Sequence, residues 1–254
     1  MGGANYQTLA PFYDQIMSHV DYVTLGRHLG DVYRRYHGPK APECMLELAA
    51  GTCRLNNLFP ESFRIHSDLS LDMLKVATPR NHGHSHPHLR RVVCDVRTLP
   101  FQGPFDLIVM AYDSFNYLLQ DKDMLQTLQG VYQILAQGGL FLFDVTTETC
   151  SRKHFADTLD FEELNPPGIG SYIRKSLFDR QQGMQLNMFT FYLTDGKGLY
   201  TKHEEIHRER IVPAAHLHRL ALRAKFEVLA CLSGFSFRVG TERSERLQFV
   251  LRRT

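Results

Sequence analysis

Apolar residues recur at helical spacing through residues 5–37. Tyr6, Leu9, Phe12, Tyr13, Ile16 and Met17 form one i, i+3, i+4 stripe, and Val23, Leu25, Leu29, Val32 and Tyr33 form a second. Gly38, Pro39 and Pro42 end the helical pattern. Short apolar runs then alternate with amphipathic stretches. The pattern predicts strands over 44–49, 63–67, 90–94, 105–111 and 139–145, and helices over 54–59, 70–78 and 121–136. Strand–helix alternation of this kind predicts a doubly wound, mostly parallel sheet. Past residue 150 the period changes to two. Residues 171–179, 184–193 and 199–212 alternate, are rich in β-formers, and are separated by the turn signals Gln182-Gly183 and Asp195-Gly196-Lys197-Gly198. Antiparallel strands inserted into the parallel unit are therefore expected. A helix over 213–224, started by Pro213, leads back to two closing strands at 226–232 and 245–252. The whole chain, 1–254, then forms one domain: a helical lid (1–40), a core (41–150), an antiparallel insert (151–212) and a C-terminal helix with strands of the core (213–254).

Composition narrows the class. The chain has 254 residues, and a hydrophobic content of 43% supplies a sizeable core. A net charge of +2 is too small to imply a nucleic-acid or membrane partner. No apolar run reaches the roughly 18 residues of a membrane span. The N-terminal MGGANYQTLAPFYD lacks a basic region followed by an apolar one, so no secretory signal is expected. Gly2 fits a myristoylation pattern, but Tyr6 stands where Ser or Thr is wanted. The five cysteines (Cys44, Cys53, Cys94, Cys150 and Cys231) are scattered with no C-x-x-C pair, which points to free thiols and a cytoplasmic protein. The His-rich segment NHGHSHPH, with its histidines between 82 and 88, has no nearby Cys, Asp or Glu to complete a ligand set, so it reads as a solvated loop and no metal site is expected.

The candidate chemistry lies at strand ends. MLELAAGTCRL (45–55) combines a short apolar run, the acid Glu47 and a small-residue turn in which Gly51 lets the backbone come close to a ligand. Asp68 ends the second strand, Asp95 the third, and Asp113 to Leu118 follow the fourth. In a parallel sheet these ends meet along one edge. One carboxylate accepting two hydrogen bonds suits a ribose diol, and an apolar slot with a carboxylate at its amino edge suits adenine. Other readings remain for each residue. Asp68 or Ser70 can cap the next helix, Asp95 can be a loop acid before Pro100, and Tyr6 and Tyr13 can be core packing.

The set resembles the class I S-adenosylmethionine-dependent methyltransferases. It is most similar to the bacterial small-molecule type with an N-terminal Y-x-x-x-A-x-x-Y-D-x-x-M signature, matched by Tyr6, Ala10, Tyr13, Asp14 and Met17. The likeness continues in LFLFDV (140–145), in Glu204, Glu205, His207, Glu209 and Arg210, and in ERLQFVLRR. It implies a Rossmann-like α/β fold with a seven-stranded sheet. It also implies S-adenosyl-L-methionine as methyl donor, with S-adenosyl-L-homocysteine as product. Carried over, Glu47 and the turn from Ala49 through Gly51 to Cys53 face the donor's amino-acid part and ribose. Asp68 with Leu69 takes the ribose hydroxyls, Met73 packs on adenine, and Asp95 with the Val96 backbone meets the adenine edge. Ala111, Tyr112 and Asp113 border the sulfonium, while Tyr6 and Tyr13 close over it. Candidates for an acceptor-side catalytic role are Tyr13, Asp113 and His207.

The family turn has Gly where this chain has Ala49 and Cys53, so a non-catalytic binding or interaction protein on the same fold is one alternative; the resemblance also leaves open a cofactor-binding enzyme with chemistry other than methyl transfer. After the fourth strand the chain reads Tyr112-Asp113-Ser114-Phe115 rather than the N/D-P-P-Y/F of nucleic-acid amino methylases. With no basic stripe, this favours a small-molecule acceptor over nucleic acid. The aromatic insert suits a pocket wall, a minor core or a homodimer face.

Overall fold

A computed structural model describes residues 6–55, 58–77 and 89–254. The His-rich segment lies outside these residues. A 3-10 turn (Ala10–Phe12) and α1 (Tyr13–Ile16) lead into α2 (Tyr22–Tyr36), which Asp21 caps by accepting the Thr24 N–H at 3.0 Å. Then follow β1 (Cys44–Leu48), β2 (Phe63–Asp68), α3 (Leu71–Val76), β3 (Leu89–Val93), β4 (Phe105–Met110), a 3-10 turn (Ser114–Tyr117), α4 (Asp121–Ile134) and β5 (Leu135–Thr146). The later elements are α5 (Glu148–His154), β6 (Thr158–Glu163), β7 (Gly170–Asp179), β8 (Met184–Thr194), β9 (Tyr200–Arg210), α6 (Ala214–Arg223), β10 (Phe226–Ser233) and β11 (Arg246–Arg253).

The strands form a seven-stranded sheet in the order β10-β11-β5-β4-β1-β2-β3 and a four-stranded sheet in the order β6-β7-β8-β9. In the larger sheet β1 to β5 run parallel, and β11 is antiparallel to both of its neighbours. This is the expected Rossmann-like doubly wound architecture. The strand order reverses at β1, between β2 and β4, where an open α/β sheet forms its ligand crevice.

Alternation along the strands builds a layer on each face. Leu46, Leu48, Ile108, Met110, Phe141 and Phe143 pack under α4 and α6, while Met45, Leu107, Val109, Leu140 and Leu142 pack under α2. Strands buried on both faces read as near-continuous apolar runs, as LFLF in β5 does. A smaller core joins the insert to the N-terminal segment through Leu9, Ile16, Leu164, Tyr172, Phe189 and Phe191. Those three insert aromatics thus form a minor core, whereas Phe161 and Tyr200 are exposed.

Three expectations are corrected. The continuous helix over 5–37 is broken between Ile16 and Tyr22. The described residues of 54–59 form turns and bends rather than a helix, with Phe59 at a positive φ of 47° that no α-helix accommodates. The helix α5 and the strand β6 were not anticipated.

Candidate active site

The turn after β1 is unusual in its backbone. Ala49, Gly51 and Cys53 have φ of 51°, 55° and 55°. A side chain in that region costs about 1–2 kcal/mol, so Ala49 and Cys53 must be held there by their surroundings. The holding bonds run from Ala50 N–H to the Ser67 carbonyl (2.9 Å), from Gly51 N–H to Asp68 Oδ2 (2.7 Å) and from Cys53 N–H to the Ala50 carbonyl (2.8 Å). A Cβ on Gly51 would stand 3.1 Å from Met73 Cε and 4.0 Å from Tyr13 Cε1, so α3 and the N-terminal segment both close on this backbone. Cys53 is buried with Ala50, Leu74 and Ala77. Its side chain fills an apolar nook and is absent from the cleft lining.

The cleft lies between this turn and the residues after β4, lined by Tyr13, Tyr22, Glu47, Gly51, Arg54 and Tyr112 among others. It encloses only about 40 Å³, well below the roughly 300 Å³ at which small-molecule sites begin. What narrows it is the N-terminal segment. Arg54 stacks over Tyr22 at 4.8 Å, and Asp14 accepts from the Thr52 hydroxyl at 2.7 Å and pairs with Arg54 at 3.3 Å. Admitting a nucleoside-sized ligand therefore requires this segment to move.

Glu47 is buried at the cleft wall and bonded to His66 Nδ1, behind it on β2. Asp68 accepts the Gly51 N–H at 2.7 Å and the Ser70 N–H at 2.8 Å. Burial pushes its carboxyl up, and those N–H groups recover only part of the shift. Two N–H donors leave lone pairs on both oxygens for a further diol. Met73 is buried on α3, and Leu69 is 67% exposed at the mouth of β2. Asp95 and Val96 follow β3 on the same sheet edge but are not among the cleft-lining residues. The Asp95 carboxylate is taken by Arg97 at 2.6 Å, which holds it below the usual carboxylate range.

On the other side Ala111 and Tyr112 line the cleft. Tyr112 and Asp113 are both left-handed, with φ of 59° and 55°. Asp144 of β5 fixes this pair, accepting from Tyr112 N–H at 2.7 Å, from Asp113 N–H at 3.0 Å and from the Arg246 guanidinium. Arg246 also pairs with Asp113 at 3.3 Å and stacks on Tyr112 at 4.5 Å. Burial alone disfavours the charge of Arg246, but the two aspartates hold it firmly protonated. Sequence reasoning missed Asp144 and Arg246. The available signal was a lone acid inside the apolar run LFLFDV.

His207 lies on β9 and faces inward, its Nδ1 3.2 Å from the Tyr117 hydroxyl and its Nε2 3.3 Å from Glu205. Tyr6 completes the group. Its hydroxyl is 2.7 Å from that of Tyr117, and its ring meets Tyr13 edge-on at 6.0 Å and His207 at 4.6 Å. Glu205 anchors the N-terminal segment by accepting the N–H groups of Tyr6 (3.0 Å), Thr8 and Leu9 (3.1 Å). Burial would raise the Glu205 carboxyl, but His207 and these N–H groups outweigh it and the net direction is down. A depressed carboxyl stabilises above its unfolded pKa and stops doing so as pH falls through the folded value. Amide exchange, corrected for intrinsic rate, is therefore expected to show Thr8 and Leu9 protected at pH 7. That protection is expected to disappear in the native protein as pH falls through the lowered Glu205 value, and to be absent at all pH in Glu205→Ala. Protection that persists in Glu205→Ala would refute the anchor.

Residues 45–139, the span that supplies β1 to β4 and their strand ends, match the family described as methyltransferase domain. Over that span the chain is similar to methyltransferase domains. The "Putative methyltransferase YqeM" of Bacillus subtilis (strain 168) is 28% identical over 249 residues, covering 96% of this chain and 95% of that protein. Among solved structures, an S-adenosylmethionine-dependent methyltransferase from Clostridium acetobutylicum ATCC 824 superposes with a TM-score of 0.80 at 22% identity, covering 98% of this chain and 99% of that one. The sugar N-methyltransferase KedS8 from Streptoalloteichus sp ATCC 53650 gives 0.74 at 16% identity, covering 100% and 98%. These matches agree with the likeness read from the strand-end motifs, and the fold shared with the solved structures extends through the N-terminal segment and the insert. Among the described residues no helix is long and apolar enough to cross a membrane, and no cluster of His, Cys, Asp and Glu could hold a metal ion.

Proposed function

We propose that this protein transfers the methyl group of S-adenosylmethionine to a small-molecule acceptor inside a closed pocket. The observation that carries the reading is the Gly51 turn tied to Asp68 at the β1 switch point, within the methyltransferase domain. The residues fit the donor. Gly51 takes a positive φ with Met73 close against it, Asp68 keeps free lone pairs, and Glu47 supplies a buried carboxylate to an amino group. Under this reading Glu47, Ala49 and Gly51 hold the donor's amino-acid part and ribose edge, and Asp68 with Leu69 holds the ribose hydroxyls. Met73, Asp95 and Val96 hold adenine, with Asp95 turning from Arg97 to do so. Ala111, Tyr112, Tyr6 and Tyr13 surround the sulfonium. The donor brings an already activated methyl group. The protein's part is to align acceptor, carbon and sulfur in line and to keep water out. Tyr13, Asp113 and His207 act on the acceptor side, where Asp113 is occupied by Arg246 and serves to shape the wall rather than as a strong base.

A small-molecule acceptor is supported by the fold shared with the sugar N-methyltransferase KedS8. The reading includes a single methyltransferase domain over 1–254 with lid, core, insert and return as divided above. It also includes a cytoplasmic location and self-association through the insert.

Incubation with methyl-tritiated donor and a metabolite extract tests it. Label is expected in a small-molecule fraction, and a cofactor-binding protein that labels nothing would sink methyl transfer. Asp14→Ala removes bonds worth about 0.5–1.5 kcal/mol from the latch over the cleft. Release of S-adenosylhomocysteine in stopped flow is expected to quicken about 3–10-fold with the melting temperature nearly unchanged. An unchanged release rate would show that Asp14 is no latch.

A further inference from the structure

We propose that Glu209 is the acceptor-binding residue of this site and that the acceptor it receives is a protonated amine. The inference rests on the methyl-transfer reading above and names the substrate class of that site.

Glu209 is on β9, two residues beyond His207, and faces the same interior. It is buried, 4% exposed. One carboxylate oxygen accepts from Asn187 Nδ2 at 2.9 Å, and Asn187 is itself fixed by Ser176 at 2.8 Å. The other oxygen, Oε2, has no hydrogen-bond partner among the described residues. A buried carboxylate held by a two-residue relay from one side and unpaired on the other is costly to keep unless something fills the second position. The groups around it come from four directions. Asp113 follows β4, Tyr117 lies on the 3-10 turn, Tyr6 on the N-terminal segment and His207 on β9. Arg246 of β11 is already shared by Asp113 and Asp144. Burial and the Asp113 charge push the Glu209 carboxyl up to about 8, against the opposing pull of Arg246 and Asn187.

Position links this carboxylate to the cleft. Ser114 lines the cleft, and on the same turn the Asn116 amide donates to the Arg210 carbonyl at 2.8 Å, fixing that turn to β9 beside Glu209. Tyr6 and Tyr117 stand between, hydroxyl to hydroxyl, with Tyr6 edge-on to the cleft residue Tyr13. A cation meeting tyrosine rings and a buried carboxylate is stabilised by both, whereas a neutral alcohol leaves the carboxylate charge uncompensated. The chemistry then balances. The ammonium gives one proton to Glu209 and becomes a neutral amine. Its lone pair forms the N–C bond to the methyl carbon while the C–S bond breaks and its electrons go to sulfur, which leaves as a neutral thioether. The N-methyl ammonium product carries one charge away, and the Glu209 proton passes to water when the site opens.

Calorimetry on protein saturated with S-adenosylhomocysteine tests the assignment, using three matched probe pairs: n-butylamine and n-butanol, cyclohexylamine and cyclohexanol, benzylamine and benzyl alcohol. At pH 8.5, above the raised Glu209 value, at least one amine is expected to bind ten-fold or more tighter than its alcohol, and Glu209→Gln is expected to erase that preference. S-adenosylhomocysteine affinity in the variant should stay within two-fold. Foldedness has its own readout. A carboxyl raised in the folded state contributes stability that is lost as pH rises through its folded value, so Glu209→Gln should melt higher than the native protein above pH 8. Glu209→Asp, which keeps the charge, should retain a weakened amine preference. An amine preference that survives Glu209→Gln, or the absence of any preference in the native protein, overturns the assignment alone. Failure of the native protein to bind S-adenosylhomocysteine overturns it together with the methyl-transfer reading.

Discussion

Asp144→Ala is expected to destabilise the protein by about 3–5 kcal/mol, the cost of removing one partner from a buried ion pair. Asp144 is 1% exposed and holds three groups at once: the N–H of Tyr112, the N–H of Asp113 and the Arg246 guanidinium. Its loss leaves Arg246 charged with Asp113 alone, and it releases two left-handed residues whose conformation costs about 1 kcal/mol or more each without restraint. Both effects fall on the cleft wall, so cofactor binding should weaken along with folding. Urea unfolding checks the stability. The paired variant Asp144→Ala/Arg246→Met, which removes the stranded cation as well, is expected to recover at least ~1 kcal/mol, since residues in contact couple by about 0.5–3 kcal/mol. A single Asp144→Ala within ~1 kcal/mol of the native protein would show that the buried cluster is not what holds the loop.

That cluster also marks where the sequence stopped being readable. Strands β1, β4 and β5 announce themselves because burial on both faces demands near-continuous apolar runs, and β7 to β9 because one face is wet and the pattern alternates. The acids at strand ends are equally legible, since strand order alone brings Glu47, Asp68 and Asp95 to one edge. Asp144 and Arg246 are 102 residues apart, and Glu205 caps the N-terminal segment from 196 to 199 residues away. No local period encodes such pairings. The strand β6 has an exposed, largely polar sequence and only one neighbouring strand, and α5 (ETCSRKH) has no apolar stripe, so neither produces a signal. The helix expected at 54–59 rested on the strand–turn–helix rule. The positive φ at Cys53 and Phe59 shows a chain that winds through turns there instead.

Asp68→Ala is expected to weaken S-adenosylhomocysteine binding at least about 100-fold, near 3 kcal/mol, while costing the fold about 1–2 kcal/mol. The loss has two sources. The carboxylate's remaining lone pairs no longer receive the ribose hydroxyls, and the Gly51 N–H loses the acceptor that fixes the turn at 2.7 Å. Asp68→Asn separates them, since an amide keeps one acceptor oxygen, and its loss should be the smaller. The pH dependence has a definite sign. Burial raises the Asp68 carboxyl, and the ligand's hydroxyls favour its ionised form, so affinity should rise with pH through the titration of Asp68 and then level off. Equal affinity in the native protein and Asp68→Ala would remove Asp68 from the site.

The most direct test of a donor site at the β1 switch point is calorimetric titration of the folded, native protein with S-adenosylmethionine and S-adenosylhomocysteine. Saturable one-to-one binding with a micromolar Kd, lost in Asp68→Ala, is the expected result. No heat of binding at millimolar concentration of either ligand, from protein that melts cooperatively, would contradict it.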